Sequence, residues 1–370
     1  MKASRLAKAL VSKFLQEGNF VAAGGPMSLQ AVPAASSRAF EQLDEEGFAG
    51  LAVQAVGYAE PDDEDSEEDE EEQEGNSAEE VHIYVSRGSQ KDFRALPASI
   101  GGVRLRAHNI GKLYVKPHAS LTTTNRGNIY IHDDDRVACG SSAAPSGKNY
   151  AGTYGMLVKD GDGLLYALSN NHVFADCNHL PIGMPILSPA GMDGRPGERA
   201  PGEICRFSKM IELRSGAPAL VNPCREDLAI AEVTDEDQVS SWQGDEDDGY
   251  DTPAGTIAPS RRLAVKKFGR TTGLTHGTIE SVVVSTGIPY QSDKFNALVW
   301  FQGVWAVKSN DSDPFALGGD SGSLVVTEDG EHCVGILFAT AAKGSRGFII
   351  PMDRVVQGFD GLEVVSDHGV

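Results

Sequence analysis

The chain has 370 residues, 40% hydrophobic and 23% charged, a composition typical of a globular protein of about two domains. Its formal net charge is −21, but fourteen acidic residues fall within residues 60–80, which hold no basic residue, so the rest of the chain carries only −7. This mildly acidic balance argues against nucleic-acid binding through a basic face, and no apolar run approaches the ~18 residues of a membrane-spanning helix.

The first predicted element is an amphipathic helix over residues 3–17, where apolar side chains recur at helical spacing. Two interpretations stay open: the apolar face docks on its own domain, or the helix, whose polar face is basic, binds a regulatory partner or a membrane surface. A second short helix is predicted at Ser37–Glu46. The N-terminus lacks a secretory core, and the five cysteines are widely spaced and odd in number, which indicates reduced thiols in a cytoplasmic protein.

Three strands are predicted over residues 51–59, 81–86 and 103–109, because these segments alternate and are rich in β-branched residues. The acidic tract 60–80 interrupts the first two. A run of like charge repels itself and cannot bury surface, so we expect a disordered loop, with an acidic docking loop as the alternative. Together these elements predict a small N-terminal α/β domain over residues 1–125.

From about Cys139 onward, short strands are separated by Gly, Asp and Pro, which predicts antiparallel barrels or a sandwich. The clearest hairpin joins residues 323–327 and 333–339, because the Asp-Gly pair between them supplies the positive φ that a tight turn needs. The acidic stretch Asp235–Asp251 predicts a flexible loop that links two barrels, and a late helix is predicted over Met352–Phe359.

The sharpest local signal is the sequence GGDSGS at Gly318–Ser323. A nucleophilic serine needs an exposed hydroxyl and a backbone that can curl to aim amides at one point, and flanking glycines permit that conformation. In this interpretation Ser321 is the nucleophile, and the amides of Gly319 and Ser321 form an oxyanion hole. Taken alone, the motif also fits a glycine-rich turn between strands.

Two further positions supply the groups that a serine nucleophile needs. His172 follows an apolar strand, where it can act as a general base, and Asp227 begins an apolar strand, where its carboxylate can accept a bond from an imidazole. Glu226 is the nearest rival to Asp227, but the Leu-Ala-Ile that follows fits Asp227 better. Each residue alone fits a structural role, whereas their order with Ser321 favours a catalytic site.

In that order, and in the segments NNHV, DLAIAEV and GGDSGS, the chain resembles the chymotrypsin-fold serine peptidases. The segments LSNNHVFA, KFGRTTGLTHGTI, GDSGSLVV and IIPMDRVV extend the resemblance to intracellular trypsin-like peptidases, which include the plant narrow-leaf protein and many bacterial relatives. The resemblance covers roughly residues 139–366. It implies a mainly β fold with a trypsin-like peptidase domain over residues 126–370, whose two antiparallel barrels span about 139–240 and 253–366, preceded by the small α/β domain.

The resemblance also implies roles for the residues of the site. Ser321 would attack a peptide carbonyl, His172 would take and return the proton, and Asp227 would hold the imidazole. Asp320 is expected to bond locally or to Arg270. A first substrate pocket would have Phe315 at its floor, which favours a small or apolar substrate side chain over Lys or Arg. Its walls would be Phe338, Ala339, Thr340 and Gly347. No cofactor or metal is expected.

The function expected from the sequence is an intracellular serine endopeptidase that cleaves specific proteins by an acyl-enzyme mechanism. The N-terminal helix and the acidic loop are candidates for its restraint, as inhibitor or adaptor. Some similar bacterial proteases act in defence and activate pore-forming gasdermins. A gasdermin-like protein is therefore a candidate substrate on the basis of family analogy alone. The alternatives are a catalytically silent or latent adaptor with the peptidase fold, and an esterase or acyl transferase with the same machinery.

Overall fold

The computed structural model describes residues 1–16, 20–22, 25–26, 48, 51–61, 78–115, 127–133, 135–197, 199–218, 220–342 and 344–370. The predicted helix Ser37–Glu46 and most of the acidic tract 60–80 lie outside the described residues. Residues 116–126 do as well, so the domain boundary near residue 125 stays a prediction. Among the described helices, none is long and apolar enough to cross a membrane.

The N-terminal region is a helix packed on a sheet. Helix α1 (Ala3–Gln16) buries Leu6, Leu10 and Phe14 against apolar residues of the sheet, so its apolar face docks on the chain itself, as one of the two interpretations proposed. The predicted strands are present within one residue of their expected bounds. The region comprises α1, β1 (Val21–Ala22), β2 (Gly25–Pro26), β3 (Ala52–Ala59), β4 (Glu80–Arg87), α2 (Gln90–Ala95), β5 (Ser99–Ile100), β6 (Val103–Asn109) and β7 (Leu113–Tyr114).

The next part of the chain forms an open antiparallel half-barrel in the order β11-β10-β14-β15-β16-β13-β12, with a late strand beside β12. Its core strand β13 is buried throughout and leads directly into a short helix. Two strands that precede the half-barrel, β8 (Ile131–His132) and β9 (Arg136–Cys139), belong to a separate four-stranded sheet with two later strands. The elements of the half-barrel region are β10 (Ser142–Pro145), β11 (Gly152–Thr153), β12 (Met156–Lys159), β13 (Leu165–Ser169), α3 (Asn171–Phe174), β14 (Pro185–Ser188), β15 (Gly202–Met210) and β16 (Ala229–Val233).

The acidic stretch 235–251 is more ordered than the sequence predicts. It holds a short 3₁₀ helix (Glu236–Gln238) and two strands, β17 (Val239–Gln243) and β18 (Tyr250–Asp251), and β17 pairs in parallel with β9. Val239, Ser240 and Ser241 are buried. The prediction of a flexible loop is wrong here, because the acidic residues lie at the turns while the segment between them packs on the half-barrel.

The second barrel is closed and six-stranded. The strands pair in the order β20-β24-β25-β26-β23-β21, and β20 pairs again with β21, all antiparallel. The fold class predicted from the sequence, mainly β with two antiparallel barrels, is confirmed, with the first barrel open. The remaining elements are β19 (Gly255–Thr256), β20 (Ala264–Lys267), β21 (Thr275–Gln291), β22 (Asn296–Phe301), β23 (Val304–Ser309), β24 (Leu324–Thr327), β25 (His332–Ala341), β26 (Arg346–Pro351), α4 (Met352–Gln357) and β27 (Glu363–Val364).

Strand β21 joins the parts of the molecule. Its first half closes the second barrel, and its residues 282–286 then pair with β3 of the N-terminal sheet. Seventeen residues at about 3.4 Å each give the strand a length of more than 50 Å if straight, enough to leave the barrel and continue past it. The N-terminal sheet is therefore a continuation of the second barrel's sheet.

Candidate active site

Ser321 lies in a tight loop between the second-barrel strands β23 and β24. Gly319 and Gly322 both have φ of +101°, a conformation that side chains disfavour. A Cβ on Gly322 would lie 2.3 Å from Ser169 Oγ and from Thr153 O, so only glycine fits there. The loop packs against the half-barrel by these contacts, and Ser321 is 7% exposed.

The Asp320 carboxylate holds this loop in place by hydrogen bonds to neighbouring residues. Its carboxylate accepts hydrogen bonds from the amides of Leu317 (2.8 Å), Thr271 (2.7 Å) and Thr272 (3.1 Å), and from the Thr272 hydroxyl (2.9 Å). The buried Lys267 ammonium lies 4.0 Å away, and burial lowers its pKa against the opposing effect of Asp320. The expected local bond of Asp320 is present.

Of the two alternatives expected for Asp320, the local one is present, and Arg270 has a different partner. Arg270 is fully buried and binds Asp193 of the half-barrel through Nε at 2.7 Å and Nη2 at 2.6 Å. Asp193 also accepts bonds from Ser142 Oγ (2.5 Å) and the Gly127 amide (3.3 Å). Burial opposes ionisation of Asp193, but Arg270 outweighs it and lowers the pKa of the carboxyl. This ion pair connects the two barrels beside the Ser321 loop.

Hydrogen bonds to the loop carbonyls set the direction of two amides. Thr271 Oγ1 donates to Gly318 O at 2.9 Å, and Ser323 donates to Asp320 O from its amide (3.0 Å) and its hydroxyl (2.7 Å). In a trans peptide the N–H points opposite the C=O, so these bonds orient the N–H groups of Gly319 and Ser321. Among the described residues, neither amide has a hydrogen-bond acceptor.

His172 is held by its own short helix and by Asp227. It occupies the second position of α3, and its backbone amide donates to Asp227 Oδ1 at 3.1 Å. Its ring Nδ1 lies 2.6 Å from Asp227 Oδ2, and both side chains are fully buried. Because an ionised carboxylate can only accept, Nδ1 carries the proton and Nε2 is the basic nitrogen. Glu226, the rival carboxylate, is half-buried, and burial raises its pKa.

Tyr290 is a site residue that sequence reasoning missed. Its hydroxyl donates to Asp227 Oδ2 at 2.6 Å, and its ring makes an edge contact with the His172 ring. Burial and the Asp227 charge raise the pKa of Tyr290 well above its usual value, so it stays a donor. A buried tyrosine needs a partner for its hydroxyl, but only the fold shows that the end of β21 reaches Asp227.

Ser321 and His172 border one small region where the barrels meet. The Thr153 amide donates to Ser321 O at 2.8 Å, and a Cβ on the neighbouring Gly152 would lie 3.1 Å from that oxygen and 2.5 Å from a methyl of Val173, next to His172. Ser321 Oγ donates to Phe338 O at 3.4 Å, whereas the buried His172 Nε2 has no hydrogen-bond partner within the described part of the chain. Ser321 Oγ and His172 Nε2 are therefore not hydrogen-bonded to each other in this structure.

The residues predicted to form a substrate pocket are divided between two environments. Phe315, Thr340 and Gly347 lie together: Thr340 pairs with Gly347 across β25 and β26, and a Cβ on Gly347 would lie 2.8 Å from the Phe315 ring. Phe338 instead packs its ring on Phe301 in the main core, with ring centroids 4.8 Å apart, and presents its carbonyl to Ser321. Ala339 belongs to the same main core.

One other cluster, outside this site, has the spacing of a metal site among the described residues. It contains His82, His108 and Glu280. His82 Nδ1 and His108 Nε2 lie 2.9 Å apart and bind each other, while Arg346 and the Tyr84 hydroxyl bind Glu280. These bonds form a network between the N-terminal sheet and the second barrel. Among the described residues, the buried His82 Nε2 has no hydrogen bond, and it lies 3.5 Å from Glu80 Oε2.

This network predicts a loss of stability in mild acid. Burial lowers the pKa of His108 to about 4, and the opposing charge of Glu280 is countered by His82, Arg346 and Arg106. An unfolded histidine has a pKa of about 6.5, so between those values the unfolded chain binds more protons, and the free energy of unfolding falls as pH falls. Urea denaturation at several pH values should show a shallower decline in His108→Gln than in the wild type; equal slopes would contradict the prediction.

Comparisons with known proteins give structural likeness only. No protein-family model and no curated protein matches the chain. Protease A of Thermobifida fusca is similar, at 18% identity over 62% of this chain and 99% of that one, with a TM-score of 0.42. The chymotrypsin of Cellulomonas bogoriensis is similar at 16% identity over 62% and 98% of the two chains (TM-score 0.41), and a glutamic-acid-specific serine protease at 16% over 62% and 100% (TM-score 0.43).

Proposed function

We propose that this chain is a serine endopeptidase in which Ser321 is the nucleophile, His172 the general base and Asp227 its partner. The observation that carries the proposal is the buried pair of His172 and Asp227, whose Nδ1–Oδ2 distance is 2.6 Å. This pair leaves the basic Nε2 beside the Ser321 loop without a hydrogen-bond partner from any residue that the structure describes. A buried imidazole nitrogen without a partner costs free energy, and a catalytic base gives a reason for that cost.

The mechanism follows from the bonds around the imidazole. Ser321 Oγ turns to His172 Nε2, loses its proton to it and forms a bond to the substrate carbonyl carbon; His172 then gives the proton to the leaving amine. Asp227 fixes the Nδ1–H tautomer and stabilises the imidazolium. A water molecule then attacks the carbonyl carbon of the acyl-enzyme and gives a proton to His172. His172 returns this proton to Ser321 Oγ as the ester bond breaks, which frees the enzyme. Tyr290 holds the same carboxylate oxygen that faces the ring, so we assign it as a positioning residue.

The amides of Gly319 and Ser321 are the donors that we assign to the oxyanion. Their orientation is set before substrate binds, by Thr271 on Gly318 O and by Ser323 on Asp320 O. Such donors cost no reorganisation during the reaction, and one is worth roughly 3 to 4 kcal/mol of transition-state stabilisation. Asp320 keeps the loop in this shape through its bonds to Thr271 and Thr272.

For the first substrate pocket we propose Phe315, Thr340 and Gly347, with a preference for a small or apolar side chain. The Phe315 ring is fully buried beside Gly347, and no carboxylate is close enough to any of the three to form a hydrogen bond among the described residues. A peptide library should show this preference, and a clear preference for Lys or Arg would contradict it.

A fluorophosphonate probe tests the proposed function directly. It should label the wild type on Ser321, as mapped by mass spectrometry, and Ser321→Ala should lose all labelling. Ser309→Ala is the matched control, because the hydroxyl of this serine binds the carbonyls of Asp311 and Asp313 and has no part in the proposed site. Labelling that survives in Ser321→Ala, or a wild type that never labels under any condition, would contradict the assignment.

The cellular role is also a proposal. Five buried free thiols fit a protein of a reducing compartment, and we propose a cytoplasmic peptidase similar to the intracellular trypsin-like group, acting on a specific protein substrate. One observation favours the alternative of a latent form: Ser321 Oγ is bound to Phe338 O and not to His172. A latent peptidase differs from a silent adaptor because it still labels with the small probe.

A further inference from the structure

A piece of the N-terminal region occupies the edge of the strand that borders Ser321. Strand β7 pairs antiparallel with the end of β25, with Tyr114 opposite Thr340 and Leu113 opposite Ala341. On the same side of β25, strand β24 pairs only with its earlier part, up to Ile336. The remaining edge of β25, from Phe338 to Ala341, therefore makes two contacts. The Ser321 hydroxyl donates to Phe338 O, and β7 pairs with Thr340 and Ala341.

The direction of β7 leads toward the nucleophile. Passing from Leu113 to Tyr114, the chain moves from the level of Ala341 to that of Thr340, and Phe338 lies two residues further along β25. Burial raises the pKa of Tyr114, and the charge of Asp320, the residue before Ser321, raises it further. The segment thus runs beside the Ser321 loop in an extended conformation.

Several contacts hold the segment in place. The Ala342 amide donates to Lys112 O at 2.8 Å, and the Leu113 amide donates to Gln54 Oε1 at 3.1 Å. Leu113 and Val115 are almost completely buried in the main core. Because hydrogen-bonded pairs alternate along an antiparallel ladder, the bond at Lys112 and Ala342 makes Tyr114 and Thr340 the next bonded pair.

An exposed strand edge beside a nucleophile is where an extended peptide can bind by adding a strand. We propose that residues 112–115, hereafter the strap, are an autoinhibitory element that holds this edge against peptide substrates and must leave it before a protein is cleaved. This inference rests on the proposed peptidase function and gives that site its regulation. A small probe that needs only Ser321 and His172 is not excluded by the strap, whereas a peptide several residues long is.

The test separates these two classes of reagent. Tyr114→Pro removes the backbone donor of the Tyr114–Thr340 pair, and Tyr114→Phe is the matched control that keeps it. With a quenched fluorescent peptide library as substrate, Tyr114→Pro should raise kcat/KM about tenfold over both the wild type and Tyr114→Phe, the factor that one lost hydrogen bond corresponds to. Fluorophosphonate labelling should be equal in all three.

A cross-link keeps the proposal testable if the proline variant does not fold. Leu113 and Ala341 form a non-hydrogen-bonded pair, whose short Cα separation suits a disulfide, so Leu113→Cys with Ala341→Cys can lock the strap. Oxidised by glutathione disulfide, this variant should still label but lose peptide hydrolysis, and dithiothreitol should restore it. Equal peptide hydrolysis in the oxidised and reduced forms would overturn the strap, whereas absence of labelling in every form would overturn the peptidase assignment itself.

Discussion

Replacing Asp227 with asparagine should lower kcat for peptide hydrolysis by about 10⁴-fold, with the fold unchanged. The reason lies in the three donors around the carboxylate: the His172 amide on Oδ1, and the His172 ring and the Tyr290 hydroxyl on Oδ2. The asparagine oxygen can replace only one of the two carboxylate oxygens, and the NH₂ group takes the position of the other. With the oxygen on the His172 amide, the NH₂ group faces Nδ1 and donates to it, which moves the ring proton to Nε2 and removes the base.

Tyr290→Phe is the graded comparison for this change. It removes one donor and leaves the carboxylate charged, so the loss in kcat should be about tenfold, the worth of one hydrogen bond. Steady-state kinetics on the best library peptide measure both variants, and circular dichroism checks their folding. An Asp227→Asn enzyme that retains more than a tenth of the wild-type kcat would show that the buried pair is structural.

The largest effect on stability is expected from Asp193→Ala. This change leaves the Arg270 guanidinium buried without its counter-ion, and removing one partner of such a pair costs about 3 to 5 kcal/mol. The free energy of unfolding should fall by this amount in urea denaturation. Because Arg270 also lies against the Ser321 loop, with Nη1 2.6 Å from the place of a Cβ on Gly319, labelling of Ser321 should slow as well.

The control for Asp193→Ala is the double replacement Asp193→Leu with Arg270→Met. Apolar side chains of similar volume in place of a buried ion pair are often neutral or stabilising, so the double variant should recover most of the stability lost in the single one. If the single and double variants are equally unstable, the loss comes from packing and the unpaired charge is not its cause.

Much of the fold and part of the site could be predicted from local sequence. Strand alternation located β3, β4 and β6 within a residue, and the Asp-Gly turn located the hairpin of β24 and β25, since both depend on neighbouring residues. The prediction of a flexible loop over the acidic stretch 235–251 was wrong, because the charged residues lie at its turns and the strand β17 between them is buried. The substrate-pocket residues stay a prediction; Phe338 presents its carbonyl to Ser321, while its ring packs on Phe301.

The sequence alone determined the chemical groups: a serine between glycines, a histidine after one apolar strand and an aspartate before another. These signals are local, because conformational freedom and strand period are written in adjacent residues. The tertiary structure decided which groups meet. Tyr290 reaches Asp227 from 63 residues away, Arg270 reaches Asp193 from 77, and Leu113 lies on Ala341 across the sheet. Such contacts depend on the register between strands and on how far β21 extends beyond its barrel. The hydrophobic periodicity of one segment carries no information on where a distant segment ends.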